Sequence, residues 1–476
     1  MNAGLWTAFE AAAATGGALC ARGGDPDRWV AEEWAAGGIS IDTRTLAPGE
    51  MFVALTDIRD GHEFVASAFE RGASAALVAR ALENTPDGAP LLVVPDTLEG
   101  LRDLARAARL RNFGKRIAVT GSAGKTSTKE MLRAVLATSG QVHASDKSFN
   151  NHWGVPLTLA RMPIDAEFSV FEIGMNHAGE ITPLTRLVAP HVAIITTVAA
   201  AHLEFFGAVE RIAEAKAEIF LGVEEDGLAI LPRDNPHYDL VLKRAQEAGI
   251  KRIIAFGAAH DADLRLDEYG ATADGGRMKA TIFGETVEFN LGVPGRHQAM
   301  NALAVIGAAN AVGVSVGKAT AELSKVVAAA GRGAQSHLTI NPGVSITLID
   351  ESYNANPASM NATLEFLGQL SPAGQGRRIA VLGEMLELGS DAPALHAEIA
   401  GRLEAAKVDM LYVAGDLMNH LWDAAPSAMR AARAKAACEL APELISGLKN
   451  GDIVMVKGSN ASKVSEIVSA LKKAAG

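Results

Sequence analysis

The sequence predicts an α/β protein built from three units: a small α/β module at the amino terminus, a central parallel sheet with a small antiparallel patch, and a doubly wound, Rossmann-like sheet at the carboxy terminus. Three observations carry that prediction. RIAVTGSAGKTSTKEML, residues 116–132, runs from a short apolar stretch suited to a buried strand, through two glycines, into apolar residues at helical spacing. In the last third of the chain SITLID, RRIAVLG, DMLYVAG and DIVMVKG each precede a helical segment, the alternation of a doubly wound sheet. The length of 476 residues exceeds what one ordinary core accommodates.

Composition bounds the function classes. Hydrophobic residues make up 49% and aromatic ones only 5%, so the cores are expected to consist of Ala, Val, Leu and Ile. The formal net charge of −11 argues against a sequence-independent grip on nucleic acid, which needs a surplus of Lys and Arg on one face. It does not forbid a phosphorylated ligand, because a local nest of N–H groups outweighs a distant net charge. Cys20 and Cys438, the only cysteines, lie far apart; they suit a reducing compartment rather than a disulfide framework or a thiolate metal site. The N-terminal stretch carries Glu10 and no basic n-region, and no apolar run approaches the roughly eighteen residues of a membrane span, so a cytoplasmic protein is expected. No periodic apolar stripe suggests an obligate partner, and a monomer is expected.

In residues 1–95, the first unit, SIDTRTLAPGEMFVAL sets a turn at Ala47–Glu50 ahead of a strand Met51–Leu55. HEFVASAFERGA supplies a short helix with Phe64, Ala68 and Phe69 inward, and ASAALVA and LLVVP return as strands. Asp42, Thr43 and Arg44 read by themselves as a solvated turn. DTLEGLRDLARAARL, 96–110, is a helix capped by Asp96 or Thr97 with Leu98, Leu101, Leu104 and Ala108 on one face; it opens the second unit, 96–331.

That unit holds the glycine loop. A loop of this kind opening a helix points backbone N–H groups at one spot, where the helix dipole adds partial positive charge, and so holds a polyphosphate. Lys125 can reach the terminal phosphates, and the Thr126 hydroxyl is placed to ligate a bridging Mg²⁺. The usual GxxxxGK[ST] pattern would put its first glycine at Val119, so this is a shortened variant. FSVFEIGMN, 168–176, is an apolar strand interrupted by Glu172, a carboxylate expensive to bury unless it meets a cation or a metal. HVAIITTV, 191–198, delivers His202 beyond its carboxyl end, and AVERIAEAKAEIF follows as a helix carrying Lys216. Singly these read as a sheet-end salt bridge, a packed imidazole and a solvated helix residue. Together, at the carboxyl edge of a sheet with a phosphate loop, they favour a magnesium site of hard ligands.

From 258 to 291 short strands alternate, with turns at Asp274–Gly276 and Gly284. GVPGRHQAMNALAVIGAANAVG then sets His297 and Asn301 four apart on one face of a helix start, able to touch a base or only to cap the helix and meet water. GRGAQSHL, 331–338, marks a hinge-like crossing into the third unit, 332–476. Its strand exits carry Asp350, Glu384, Asp416 and Lys457, expected on one rim. SYNANPASM, after Asp350, is dense in amide side chains suited to a peptide-like ligand.

TGSAGKTSTKEM, SFNNHWGVPLTLARM, FEIGMNHAGEI, AAHLEFFG with EAKAEIF, PGRHQAMNALA, GRG and LIDESYNANPASM, in that order over nearly the whole chain, resemble the motifs of the Mur ligases of peptidoglycan synthesis. SYNANP, GEMLELG at 383–389, and DTR with GEMFVAL resemble the branch that adds D-alanyl-D-alanine to UDP-N-acetylmuramoyl-tripeptide. DNP at 234–236, followed by His237 rather than Arg, does not count towards the diaminopimelate-adding branch.

The resemblance implies a central P-loop mononucleotide-binding unit and ATP-driven amide formation through an acyl phosphate, with ATP and Mg²⁺ as cofactors and small molecules as the only partners. It implies that Gly121, Ser122, Ala123, Gly124, Lys125, Thr126 and Ser127 cradle ATP. Thr126, Glu172 and His202 would ligate Mg²⁺, with Lys216 carbamylated beside them. Asn301, Arg332 and Asp350 would hold adenine, phosphate and ribose; the family's His-Asn pair reads His297-Gln298 here, which leaves Asn301 as the better adenine contact. Thr43 and Arg44 would meet the UDP moiety, Asn150 and Asn151 the muramoyl-peptide, and Asn354 and Asn356 the incoming dipeptide. Two rivals share the loop: a folylpolyglutamate-type ligase, which lacks a first unit of this sort, and a nucleotide-dependent switch without amide chemistry.

Overall fold

The computed structural model describes residues 4–21, 34–80, 82, 85–146, 148–272, 275–341 and 343–476. The first sheet runs, edge to edge, Ala18–Ala21, Pro90–Val93, Ala75–Val78, Glu50–Val53 and Gly38–Ser40. It is parallel apart from the antiparallel edge strand Ala18–Ala21. Alternation along these short apolar runs sends Met51, Val53, Leu77 and Leu92 to one face and Phe52, Ala76, Val78 and Leu91 to the other. Val65 and Ala68 of the helix Val65–Glu70 cover the second face, while Phe64 and Phe69, expected inward, are only partly buried.

The first face meets the helix Thr97–Arg111. Asp96 caps it, its carboxylate accepting from the Leu98 and Glu99 N–H groups at 2.8 and 2.9 Å. Leu101, Leu104 and Ala108 of this helix belong to a core that also takes in Val155, Leu157 and Phe171, so the first and central sheets share one hydrophobic core.

The central sheet has nine strands, ordered Glu285–Leu291, Gly275–Ile282, Leu264–Thr272, Arg252–Gly257, Leu228–Pro232, Val192–Ile195, Lys115–Thr120, Phe168–Glu172 and Val142–Ala144. Lys115–Thr120, the strand that feeds the glycine loop, lies parallel between Val192–Ile195 and Phe168–Glu172. The strands after residue 258 form the expected antiparallel patch and extend this sheet, Leu264–Thr272 joining it parallel to Arg252–Gly257. They are longer than expected because Leu264, Leu266, Met278, Ala280 and Ile282 have a face to cover, packing in one core with Leu303 and Ile306 of the helix Arg296–Ala311. The turn at Gly284 is present, with Phe283 and Gly284 both at positive φ (50° and 88°), as a two-residue hairpin connection requires. Of the turn expected at Asp274–Gly276, Asp274 lies outside the described residues, and Gly275 and Gly276 begin a strand.

The third sheet is ordered Ala334–Asn341, Val344–Glu351, Ile453–Lys457, Arg378–Gly383, Met410–Ala414 and Arg430–Ala434. The four strands read from the sequence are all present, with Pro357–Gln369 and Ile399–Ala405 on one face and Ala437–Gly447 and Ser465–Ala474 on the other. Sequence pattern does not predict the two outer strands: Ala334–Asn341 pairs antiparallel with Val344–Glu351, and the edge strand RAARA, Arg430–Ala434, has no apolar run. The last strand, Ile453–Lys457, returns to a slot between Val344–Glu351 and Arg378–Gly383, which makes this the switch point of the sheet. Among the described residues no helix is long and apolar enough to cross a membrane.

Candidate active site

Carboxyl ends of strands from the central and third sheets line one cavity of about 620 Å³. The glycine loop forms part of its wall. Gly124, at φ +84° ahead of the helix Lys125–Ala137, has no room for a side chain, because a Cβ would lie 2.7 Å from Asn301 Oδ1. The next strand's exit pins the loop: Ser122 Oγ donates to the Ala199 carbonyl at 2.9 Å, and the Ser122 N–H to the Thr197 carbonyl at 2.9 Å. The Ser122 hydroxyl is thereby committed to holding the loop. Lys125 Nζ folds back onto the Gly121 carbonyl at 2.7 Å. Burial holds its pKa below the usual lysine value; Glu172 opposes that shift and the Arg332 charge adds to it.

Thr126 Oγ1 donates to Glu172 Oε2 at 2.7 Å, and Asn150 Nδ2 to Glu172 Oε1 at 2.8 Å. Glu172 reaches the loop because its strand pairs in register with the loop's own strand, Glu172 opposite Val119. A hydroxyl beside a carboxylate is a hard oxygen set that fits Mg²⁺, which keeps several waters and takes phosphate oxygens for the rest. His202 and Lys216 make no bond to this pair. His202, at φ +59°, turns Nδ1 to Glu387 Oε2 of the third unit at 2.5 Å. Lys216 is 2% exposed rather than solvated, because it is buried on its helix with Ile212 and Ala213. Its Nζ lies 3.9 Å from Met175 Sδ, and burial, reinforced by the Lys125 charge, holds its pKa well below the usual value. Among the described residues no group of three or more His, Cys, Asp or Glu stands ready for a metal. Each Glu172 oxygen accepts one bond, from Thr126 or Asn150, and His202 Nδ1 meets Glu387, while its Nε2 makes no bond among the described residues.

The helix Arg296–Ala311 is tied to the loop helix through amides: Asn301 Nδ2 donates to Gln298 Oε1 at 3.2 Å, and Gln298 Nε2 to Ser127 Oγ at 3.5 Å. His297 lines the cavity with Nδ1 buried and unpartnered, and burial lowers its pKa. Arg332 lies over the Tyr353 ring, 4.0 Å from its centroid, and both donate to Ser148 Oγ of the central unit, at 3.3 and 2.9 Å.

Asp350, expected at the ribose, is not in the cavity wall. Its Oδ2 accepts from the Gly331 N–H at 3.0 Å and its Oδ1 from the Ser352 N–H and Oγ at 3.2 and 2.6 Å, so it fastens the crossing between units. Asn354 lines the cavity. Asn356 caps the helix Pro357–Gln369 and donates Nδ2 to the Ser122 carbonyl at 3.0 Å, which joins the third unit directly to the glycine loop. Of the four rim residues only Lys457 lines the cavity. Ser148, Glu351, Tyr353 and Asp234–Pro236 also line it, and sequence spacing carries no sign of them, because pairing between distant strands brings them there.

A larger cavity of about 1400 Å³ separates the first unit from the central one. Thr43 and Arg44 line it from one side, and Phe149, Trp153 and Arg161 from the other. Arg44 is gripped by Asp42, Nε to Oδ1 at 2.9 Å and Nη2 to Oδ2 at 2.6 Å. Asn151 is in neither wall; its Oδ1 accepts from the Gly154 N–H at 2.9 Å. Its neighbours face opposite ways: Ser148 and Asn150 line the smaller cavity, Phe149 and His152 the larger.

Residues 119–309 match the family model of the Mur ligase middle domain, and residues 338–460 that of the Mur ligase, glutamate ligase domain. The UDP-N-acetylmuramoyl-tripeptide--D-alanyl-D-alanine ligase of Bacillus subtilis is 35% identical over 443 residues, which cover 92% of this chain and 93% of that protein. Among solved structures, MurF from Acinetobacter baumannii has a TM-score of 0.84 at 28% identity, covering 98% of this chain and 99% of the other. MurF ligase from Thermotoga maritima in complex with ADP has a TM-score of 0.78 at 26% identity, covering 92% and 97%.

Proposed function

This chain belongs to the Mur ligase family, and from that membership we infer that it joins D-alanyl-D-alanine to UDP-N-acetylmuramoyl-tripeptide at the expense of ATP, a step of peptidoglycan synthesis. The observation that carries the reading is a single cavity walled both by the glycine loop with Glu172 and by Arg332 and Asn354 of the third unit. A phosphoryl donor, a carboxylate and an amine have to meet in one such enclosure.

The tripeptide's terminal carboxylate attacks the γ-phosphorus and releases ADP, leaving an acyl phosphate. The neutral dipeptide amine then adds to the acyl carbon, the nitrogen gives up a proton, and phosphate departs with the electron pair of the broken C–O bond and takes up a proton. Because two anions must approach, cations do most of the work: Lys125 and Arg332 stand close enough for one charge to depress the other's proton affinity. The backbone of Gly121–Ser127 would hold the phosphates, and Asn301 with His297 the adenine end. Thr126 and Glu172 would hold Mg²⁺, which supplies charge neutralisation at the phosphate oxygens when bound.

Lys216 supports a carbamate in this reading. A buried amine held neutral is the form that adds carbon dioxide, releasing a proton and turning a neutral amine into an anionic oxygen ligand. Thr43 and Arg44 would meet the uridine diphosphate in the larger cavity, with the peptide passing Asn150 on its way to Glu172. A cytoplasmic location goes with this reading, given an ATP-consuming reaction and the free thiols Cys20 and Cys438.

The test is ADP release measured with ATP, the nucleotide-linked tripeptide and the dipeptide, each omitted in turn, using acceptors ending in lysine and in diaminopimelate. A ligase releases ADP in step with product only when all three are present. ADP release that ignores the peptide substrates would turn the reading towards a nucleotide switch.

A further inference from the structure

Glu351 and Lys457 end two adjacent parallel strands of the third sheet and stand opposite one another in register. Lys457 is 1% exposed, and its Nζ donates to Glu351 Oε2 at 3.3 Å and to the Asn354 carbonyl at 3.1 Å. Both side chains line the cavity that holds the glycine loop. An ion pair taken out of water recovers its desolvation cost only when its remaining hydrogen-bonding capacity is filled. Here that capacity is left open to the cavity: Glu351 is only partly buried and its Oε1 accepts no bond among the described residues, and the Lys457 ammonium has two acceptors for its three hydrogens.

The charge of each reactant decides what this pair can read. ATP and the nucleotide-linked peptide are polyanions, matched by Lys125, Arg332 and the loop amides; a pair of zero net charge offers them little. A zwitterion with one amine and one carboxylate is its complement, and the incoming dipeptide is the reactant of that description. Of Asn354 and Asn356, the two residues expected to meet it, Asn356 is already spent on its helix cap and on Ser122, and Asn354 lines the cavity with its Oδ1 accepting from the Ala355 N–H and its carbonyl from Lys457. We propose that Glu351 and Lys457 are the dipeptide-reading pair, Glu351 accepting hydrogen bonds from the amine and Lys457 holding the terminal carboxylate. This rests on the ligase reading above and adds the residues that select its second substrate.

The test varies substrate and protein together, using the full-length enzyme with saturating ATP and nucleotide-linked tripeptide. Kinetics are measured for D-alanyl-D-alanine and for its C-terminal carboxamide. The wild type should prefer the carboxylate by roughly tenfold or more in kcat/KM. Lys457→Met should raise the dipeptide KM by roughly tenfold or more and bring the two substrates within about threefold of each other, with KM for ATP unchanged. Glu351→Gln should raise the dipeptide KM while keeping the carboxylate preference, and Lys457→Arg should restore that preference. A Lys457→Met enzyme that still prefers the carboxylate overturns the proposal. So does a wild type with no such preference, an outcome that needs no variant to fold. A wild type that forms no amide product with either dipeptide refutes the ligase reading itself, a different result from either of these.

Discussion

Nδ1 of His202 and Oε2 of Glu387 meet at 2.5 Å although 185 positions separate them in the chain. Both residues sit at positive φ, 59° and 62°, and the main chain adds a second bond there, from the Glu204 N–H to the Glu387 carbonyl at 3.1 Å. Elsewhere Asn356 reaches the Ser122 carbonyl, and Arg332 and Tyr353 share Ser148. The third unit therefore rests on the central one at several separate places, with the smaller cavity between them.

Glu387→Ala removes the side-chain half of the first contact. Because Glu387 is partly exposed, the loss in global stability should stay below about 1 kcal/mol. The separation of the units should change more: small-angle scattering of the ligand-free variant should give a larger radius of gyration than wild type. Superimposable scattering curves would show that the contact does not restrain the third unit.

Lys125→Ala should lower ADP release on the order of 10²–10³-fold, the scale of losing one charge-stabilising donor in a closed site. Its thermal midpoint should remain close to that of wild type. An active variant would remove the glycine loop from the chemistry.

Lys216→Ala should be nearly as damaging, and added short carboxylates should restore part of the activity by standing in for the anionic oxygens of a carbamate. Full activity without rescue would end the carbamate reading, and the buried amine of Lys216 would then need another explanation.

His191 supplies a pH dependence separate from the site. Its Nδ1 accepts from the Arg116 N–H at 3.1 Å, and burial, with the Arg116 charge next, lowers its pKa from 6.5 to about 4. The folded state thus favours the neutral ring. Its stabilising contribution is complete above the ordinary pKa and declines as pH falls from 6.5 towards 4, because the unfolded chain binds the proton first. Discounted for partial exposure, the loss over that span is about 2 kcal/mol. His191→Asn should flatten the fall in thermal midpoint between neutral and mildly acidic buffer; an unchanged slope would contradict this assignment.

The sheets were legible where apolar runs alternate with helices, because a strand buried on both faces has to be apolar along its whole length. Arg430–Ala434 escaped notice for the same reason, since an edge strand keeps polar residues. Within the site, the Thr126–Glu172 contact followed from two strands with loop or carboxylate at their ends. Lys457 could be assigned to the rim, but its pairing with Glu351 could not, because that depends on which strand fills the slot beside Val344–Glu351. The bonds Asp350 makes to Gly331 and Ser352 were equally out of reach, because spacing does not show which backbone groups a carboxylate meets at the crossing between units.

A compound seated against Phe149 in the larger cavity is separated by a single peptide unit from Asn150, and through it from the carboxylate beside the glycine loop. The backbone of residues 148–152 is therefore a wall common to both cavities. An inhibitor bridging this partition would engage both chambers at once, and resistance by substitution would have to arise in a backbone shared by two ligands.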